Sequence, residues 1–206
     1  MKLYYSKGAC SLVVRIIINE LELSCDFIAV NLKDKTTEYG DDFFKVNPKG
    51  AVPTIETDNK EIITENAVIL QYLADVNHDN ELLPPVRELS RYRVLEWLNY
   101  ITTELHKGFG PIFNTTVPDQ MKQDIFVPIL IKKFTFLDKN LQKKKFLMGD
   151  IFTLPDAYLF VMLNWAYGRK FDLSSCVELK RFFEEMQQRE SVKQSILQEE
   201  LQVATP

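Results

Sequence analysis

The sequence predicts two unlike domains, a mixed α/β domain first and an all-helical domain after it. Three observations carry this. Residues Lys2 to Asn31 read strand–helix–strand. Residues Val46 to Asp75, VNPKGAVPTIETDNKEIITENAVILQYLAD, read turn, strand, hairpin, strand and helix. From Glu88 onward no convincing strand is present. A strand-bearing block followed by a helix-only block argues for two separate packed layers. The 206 residues suit one large domain or two small ones, and 46% hydrophobic with 26% charged residues is ordinary for a soluble globular chain.

Lys2 to Tyr5 is a short strand, and Ser6 to Ala9 the loop after it. Ser11 to Leu23 is a helix apolar on most of its sides, which marks a buried one. Asp26 to Asn31 returns as a strand, completing a βαβ unit of right-handed crossover. Leu32 to Asp42 is polar and loop-like, and Asp42 to Val46 a short helix. Asn47 to Gly50 is turn chemistry. Val52, Thr54 and Ile55 suit a strand, but Pro53 has no N–H to donate, so this end is an edge or a strand start. The Val52–Pro53 bond is a candidate cis peptide. Asp58-Asn59-Lys60 makes a hairpin and Glu61 to Thr64 the returning strand. Thr64-Glu65-Asn66 then opens a helix with Ala67, Ile69, Leu70, Leu73 and Ala74 mostly on one face. The order is βαβ–α–ββα, giving a first domain over 1–77. Residues 78–87, with Pro84-Pro85, form a linker, and 88–206 the helical domain. Its helices are expected at Glu88 to Phe109, from Pro118-Asp119 to about Gln142 with a kink at Pro128, at Thr153 to Gly168, Val177 to Arg189, and Ser191 to Gln198. Thr153-Leu154-Pro155-Asp156 has the form of a capping box, with Pro155 tolerated in a first turn that needs no donor. Each box side chain is expected to contribute on the order of 1 kcal/mol.

Net charge is −4 and no dense basic stripe exists, so nucleic acid is not an expected partner. Lys143-Lys144-Lys145 reads as a solvated helix end. Three widely spaced cysteines, Cys10, Cys25 and Cys176, fit reduced thiols of the cytoplasm better than a disulfide framework. MKLYYSKGAC has no signal-peptide core and no apolar run approaches a membrane span. Neither a metal site, a cofactor nor a membrane partner is expected.

Cys10 stands at the first turn of the first helix. A helix N-terminus favours negative charge, so a thiolate there is stabilised and its pKa expected to fall; the alternative is a buried, inert cysteine. Val13 occupies the place where a dithiol oxidoreductase has its second cysteine, so the chemistry is monothiol. Cys25 and Cys176 read as core. Asn99, Thr103 and His106, spaced i, i+4, i+7, share one face of the long helix. His78 reads as solvated. The start of the helix at Glu65-Asn66 is an anion site by virtue of its free N–H groups.

The pattern VP, hairpin, TExxxIxxYL resembles the glutathione site in the thioredoxin-like domain of glutathione S-transferases. With EWLNYITTELHKGF, the resemblance is to the bacterial beta class, over roughly Met1 to Leu201. It implies a homodimer that binds glutathione as co-substrate and conjugates it to a small hydrophobic electrophile. In its terms Cys10 and His106 are catalytic. Glutathione would meet Cys10, Lys35 (glycyl carboxylate), Val52 (cysteinyl backbone), Glu65 (ammonium), Asn66 (γ-glutamyl carboxylate), Asn99, Thr103 and His106. Tyr4, Tyr5 and Ser11 are rivals to Cys10, because other classes use a hydroxyl near these positions. Phe109, Phe113, Trp165 and Tyr167 are candidates for an electrophile pocket between the domains, each equally placed to be core. Two departures stand out: Asn66 where the class has Gly or Ser, and Lys7 where it has Pro. Asp156 is a folding residue. The alternatives are a thiol transferase or disulfide reductase driven by Cys10, and a transferase-like binding module without turnover.

Overall fold

A helix that is aliphatic on most of its sides can only be satisfied inside a layered structure, and Ser11 to Ile18 are all buried, Arg15 among them. In a computed structural model of the chain, which describes residues 1–200, they form helix α1 (Ser11–Glu20). The sheet beside it has five strands: β1 (Lys2–Tyr5), β2 (Asp26–Asn31), β3 (Thr36–Thr37), β4 (Thr54–Glu56) and β5 (Ile62–Thr64), in the order β3-β2-β1-β4-β5. β1 runs parallel to β2 with Leu3 opposite Phe27, and antiparallel to β4 with Leu3 opposite Ile55. Leu3 and Ile55 are fully buried, and α1 packs on β1 and on α2 (Asn66–Val76), whose Ile69, Leu70, Leu73 and Ala74 face inward. Tyr4, Ile28, Val30, Phe43 and Val52 make a second cluster, with Ala9 and Val46 against it. This is the thioredoxin-like arrangement expected. β3 lies in the stretch read as loop; two residues are too few to show alternation. The expected short helix is a single 3-10 turn, Phe43–Lys45.

The helical part begins with α3 (Leu89–Tyr100), which continues through a π-helical stretch (Ile101–His106) and a 3-10 turn (Lys107–Phe109) into α4 (Gly110–Phe113). The long helix expected there is therefore continuous in path but not uniform. Thr102 and Thr103 explain the change. Their hydroxyls donate to the carbonyls of Leu98 at 2.8 Å and Asn99 at 3.0 Å, competing with the backbone N–H groups that would close α-helical turns. A second π stretch, Lys122–Phe126, links α5 (Asp119–Met121) to α6 (Val127–Leu141). It lies just ahead of Pro128, which lacks an N–H and crowds the preceding turn. α7 (Leu154–Gly168) is buried almost throughout and packs on α3, the first π stretch and α8 (Val177–Gln188). Among the described residues no helix is long and apolar enough to cross a membrane.

The chain divides into two compact units, but not at one point. The first holds Met1–Asp79 and takes the chain back from Arg189 on; the second holds Asn80–Gln188. The sequence-based division put everything from 88 to 206 in the helical domain. Instead α9 (Glu190–Gln198) packs on α1; residues 201–206 of that range lie outside the described residues. Polar groups on the two helices match. Arg189 Nε donates to Glu20 at 2.8 Å, Ser191 Oγ to the same carboxylate at 2.6 Å, and Asn19 Nδ2 to Ser195 Oγ at 2.8 Å.

Candidate active site

In the first unit three chain segments converge: the start of α1, the turn 47–54 and the start of α2. Asn47 builds the turn. Buried, it donates through Nδ2 to Ala51 O at 2.8 Å and to Thr54 Oγ1 at 2.9 Å, while its Oδ1 accepts from Lys49 N at 3.0 Å. The Val52–Pro53 peptide bond that follows is cis. Val52 O faces α1 and accepts from Cys10 Sγ at 3.3 Å. Asn66 Nδ2 donates to Cys10 O at 2.8 Å, and Asn66 Oδ1 is buried without a hydrogen-bond partner. Cys10 is thus hydrogen-bonded directly to both Val52 and Asn66.

The thiol's state differs from the expectation. Cys10 is only 8% exposed, and burial pushes its pKa up to about 12, against the smaller lowering by hydrogen bonds at the helix start. Desolvation of a thiolate outweighs the N-terminal dipole here. Cys10 is a neutral thiol donating to a carbonyl, not a thiolate. Burial likewise raises Cys25, to about 11, and Cys176; all three cysteines are free thiols.

Glu65 differs too. It precedes α2 with φ 72°, a left-handed value rare for a residue with a Cβ, while its carbonyl accepts from Val68 N and Ile69 N. Its side chain is 65% exposed and pairs with Lys49 Nζ at 2.7 Å, which also donates to Thr64 Oγ1 at 2.9 Å. A cation therefore already sits on the carboxylate expected to meet an ammonium. Lys35, itself at φ 56°, donates to Gly50 O at 2.7 Å, which brings it to the same turn.

The rivals to Cys10 are engaged elsewhere. Tyr4 OH donates to Glu56 at 3.3 Å. Tyr5 lies against Phe27, with the Arg15 guanidinium 4.3 Å over its ring. Ser11 is fully buried, its Oγ accepting from Ser6 N and donating to Ser6 O, both at 3.2 Å.

In the second unit His106 Nδ1 lies 2.5 Å from Tyr158 OH, and its ring packs edge-on against Trp165, centroids 5.3 Å apart. Asn99 and Thr103 are exposed and His106 half-buried. The single stripe expected from i, i+4, i+7 does not persist, because a π stretch turns less per residue than the 3.6-residue helix and shifts His106 out of the row. Trp165 also meets Phe113 at 4.9 Å and Phe109 at 5.4 Å. Phe109 is fully buried, whereas Phe113 is exposed and Trp165 half-buried. Tyr167 is a core residue: it packs on Phe183 at 4.9 Å, its hydroxyl is buried without a partner, and burial pushes its pKa up to about 12.

Asn47, Lys49 and Tyr158 escaped sequence reasoning. Lys49 lies inside the NPKG turn, where a lysine reads as solvated. Tyr158 sits 52 residues from His106.

Residues 8–76 match the family model described as Glutathione S-transferase, N-terminal domain, and residues 100–190 the model for the C-terminal domain of the same family. The chain is 42% identical over 201 residues to a glutathione S-transferase, GstA, of Escherichia coli O157:H7, covering 98% of this chain and 100% of that protein. A sphingomonad glutathione S-transferase complexed with glutathione superposes with TM-score 0.93 at 35% identity, covering 98% of this chain and 100% of that one. A bacterial beta class glutathione S-transferase of Sphingomonas chungbukensis superposes with TM-score 0.92 at 37% identity, over 97% and 98% of the two chains.

Proposed function

Because the chain belongs to the glutathione S-transferase family, we propose that it conjugates reduced glutathione to apolar electrophiles, with glutathione seated on the first unit. The observation that carries the site assignment is the direct contact of Cys10 with the Val52 carbonyl, bracketed by the start of α2. The first N–H groups of α2 have no intrahelical acceptor and suit the γ-glutamyl carboxylate. Glu65 takes the ammonium, in the place Lys49 occupies without ligand, and Lys35 the glycyl carboxylate. Val52 pairs its backbone with the cysteinyl residue as an edge strand would. Its carbonyl then turns to glutathione, and the Cys10 S–H swings to donate to the glutathione sulfur. A neutral thiol is a weak donor, and it lowers the energy of a neighbouring thiolate without competing as a nucleophile. His106, whose Nδ1 meets Tyr158, is the second unit's candidate for assisting ionisation of the reacting thiol. The glutathione thiol gives up its proton to solvent, its sulfur bonds the electrophilic carbon, and the electron pair leaves with the departing group or, in an addition, moves into the acceptor, which then takes a proton from solvent. In the second unit Phe113 and Trp165 are the apolar candidates for the electrophile, and Asn99 and Thr103 the polar candidates for glutathione. No cofactor enters this chemistry. Such conjugation serves detoxification, and free thiols suit the cytoplasm.

A neutral Cys10 favours conjugation over the thiol-transferase alternative. Cys10→Ala removes one hydrogen bond to the developing thiolate, worth about 0.5–1.5 kcal/mol, so conjugation of 1-chloro-2,4-dinitrobenzene should fall about two- to tenfold in kcat/KM. A loss on the order of a thousandfold, together with strong disulfide reduction by the wild type, would favour the thiol-transferase alternative. Absence of conjugation by the wild type would defeat the proposal outright.

The protein is further expected to be a homodimer. Leu89, Tyr92, Ile129 and Phe136 of the second unit are all at least 45% exposed, as is Val68 of the first, which is much apolar surface to leave wet. Light scattering at micromolar concentration should give twice the chain mass of 24.0 kDa; the monomer mass would refute it.

A further inference from the structure

The loop that carries Cys10 is held at three places. Ser11 Oγ holds Ser6, and Val52 and Asn66 hold Cys10. Between them Gly8, at φ 70°, donates its N–H to Glu199 Oε2 at 2.9 Å. Glu199 lies just past α9 and is 2% exposed. Its other oxygen accepts from Arg15 Nε at 3.1 Å, and Gln198 Oε1 accepts from Arg15 Nη1 at 3.3 Å. The guanidinium lies 3.7 Å from the Phe27 ring centroid and 4.3 Å from that of Tyr5, and its Nη2 is buried without a hydrogen-bond partner.

An incompletely satisfied buried ion pair is a poor stabilising device, since apolar residues of similar volume commonly match or exceed it. What apolar residues cannot do is accept the Gly8 N–H. Lys7, next to Gly8, offers none of the backbone restraint a proline would; its own pairing with Glu200 is exposed and 3.7 Å long. We infer that Glu199 is a positioning residue for Cys10: its carboxylate, oriented by Arg15, fixes the Gly8 loop and so the thiol against Val52. The functional value of that placement rests on the reading of Cys10 given above.

The test reads the loop without glutathione. Iodoacetamide alkylation of Cys10, Cys25 and Cys176 is followed separately by peptide mass spectrometry. Glu199→Ala leaves Arg15 as an unpaired buried charge and endangers the fold. The informative variant is therefore Arg15→Met/Glu199→Leu, which removes the acceptor and keeps the interior neutral, with its melting temperature measured alongside. Cys10 alkylation should rise at least tenfold over wild type while Cys25 and Cys176 keep their rates. Arg15→Met/Glu199→Gln also keeps the interior neutral but retains an oxygen for Gly8, and should return Cys10 to within about threefold of wild type. Unchanged Cys10 alkylation in the Met/Leu variant, a parallel rise at all three cysteines, or a Met/Gln variant as reactive as the Met/Leu one would overturn the proposal. Conjugation kinetics of Cys10→Ala test the other reading separately. If that substitution leaves conjugation untouched, Cys10 loses its role, while the alkylation result still decides whether Glu199 holds the loop.

Discussion

Asp156→Ala should lower stability by about 3–5 kcal/mol, well beyond the single kilocalorie expected from a capping box alone. The carboxylate is fully buried. One oxygen accepts from Thr153 N at 2.8 Å and Thr153 Oγ1 at 2.7 Å, as the box requires; the other accepts from Leu147 N at 2.9 Å. Alanine leaves two buried backbone N–H groups and a hydroxyl without their acceptor, each costing about 1–3 kcal/mol. The damage falls at the start of α7, the helix on which the second unit packs. Melting temperature should drop on the order of 10 °C. Thr153→Ala removes the hydroxyl that donates to Asp156 and accepts the Asp156 N–H, but that N–H keeps the Thr153 carbonyl at 3.0 Å, so about 1 kcal/mol is expected there. Equal effects of the two substitutions in thermal denaturation would show that the Leu147 contact contributes nothing.

Glutathione affinity should fall about tenfold or more in Glu65→Ala and Glu65→Gly alike, yet the two should differ in stability. A charge-assisted hydrogen bond to the ligand ammonium is worth about 1.5–3 kcal/mol, and the solvent-facing carboxylate argues for the lower end. The ion pair with Lys49 is exposed on both sides and adds little to the fold. The backbone matters more. At φ 72° a residue with a Cβ is strained by about 1–3 kcal/mol, which alanine retains and glycine relieves, less the entropy glycine loses on folding. Glu65→Gly should therefore equal or exceed wild type in melting temperature, with Glu65→Ala below it. Calorimetry showing wild-type affinity for either variant would take Glu65 out of the site. Such a result would also undo the placement of glutathione along Val52.

The same two residues mark how far a sequence can be read. The capping box and the acid before α2 are local patterns, visible within four residues, and both stand where they were expected. The strand and helix order was legible for the same reason, since period and turn chemistry are properties of short windows. What was not legible depends on contacts far apart in the chain. Cys10 at a helix start looked like a thiolate, because the dipole is local; the burial that reverses it comes from Val52 and the surrounding core. Leu147 N–H on Asp156 and Tyr158 on His106 are tertiary. The π stretch does have a local signature, the adjacent Thr102 and Thr103, whose hydroxyls compete with the backbone N–H groups. The placement of α9 leaves no trace in its own amphipathic pattern, which would suit either unit equally.

That placement has a consequence during synthesis. The first unit is begun by residues 1–79 and closed only after residues 80–188 have been made, because α1 waits for α9. Residues 80–188 must be made in between, a delay on the order of 5–20 s at about 5–20 residues per second. Throughout that interval the N-terminal block carries an aliphatic helix with one side uncovered and Arg15 without its counter-ion. Nascent chains paused within this window should therefore be aggregation-prone and captured by holdase chaperones, and release should coincide with emergence of Glu199 from the exit tunnel.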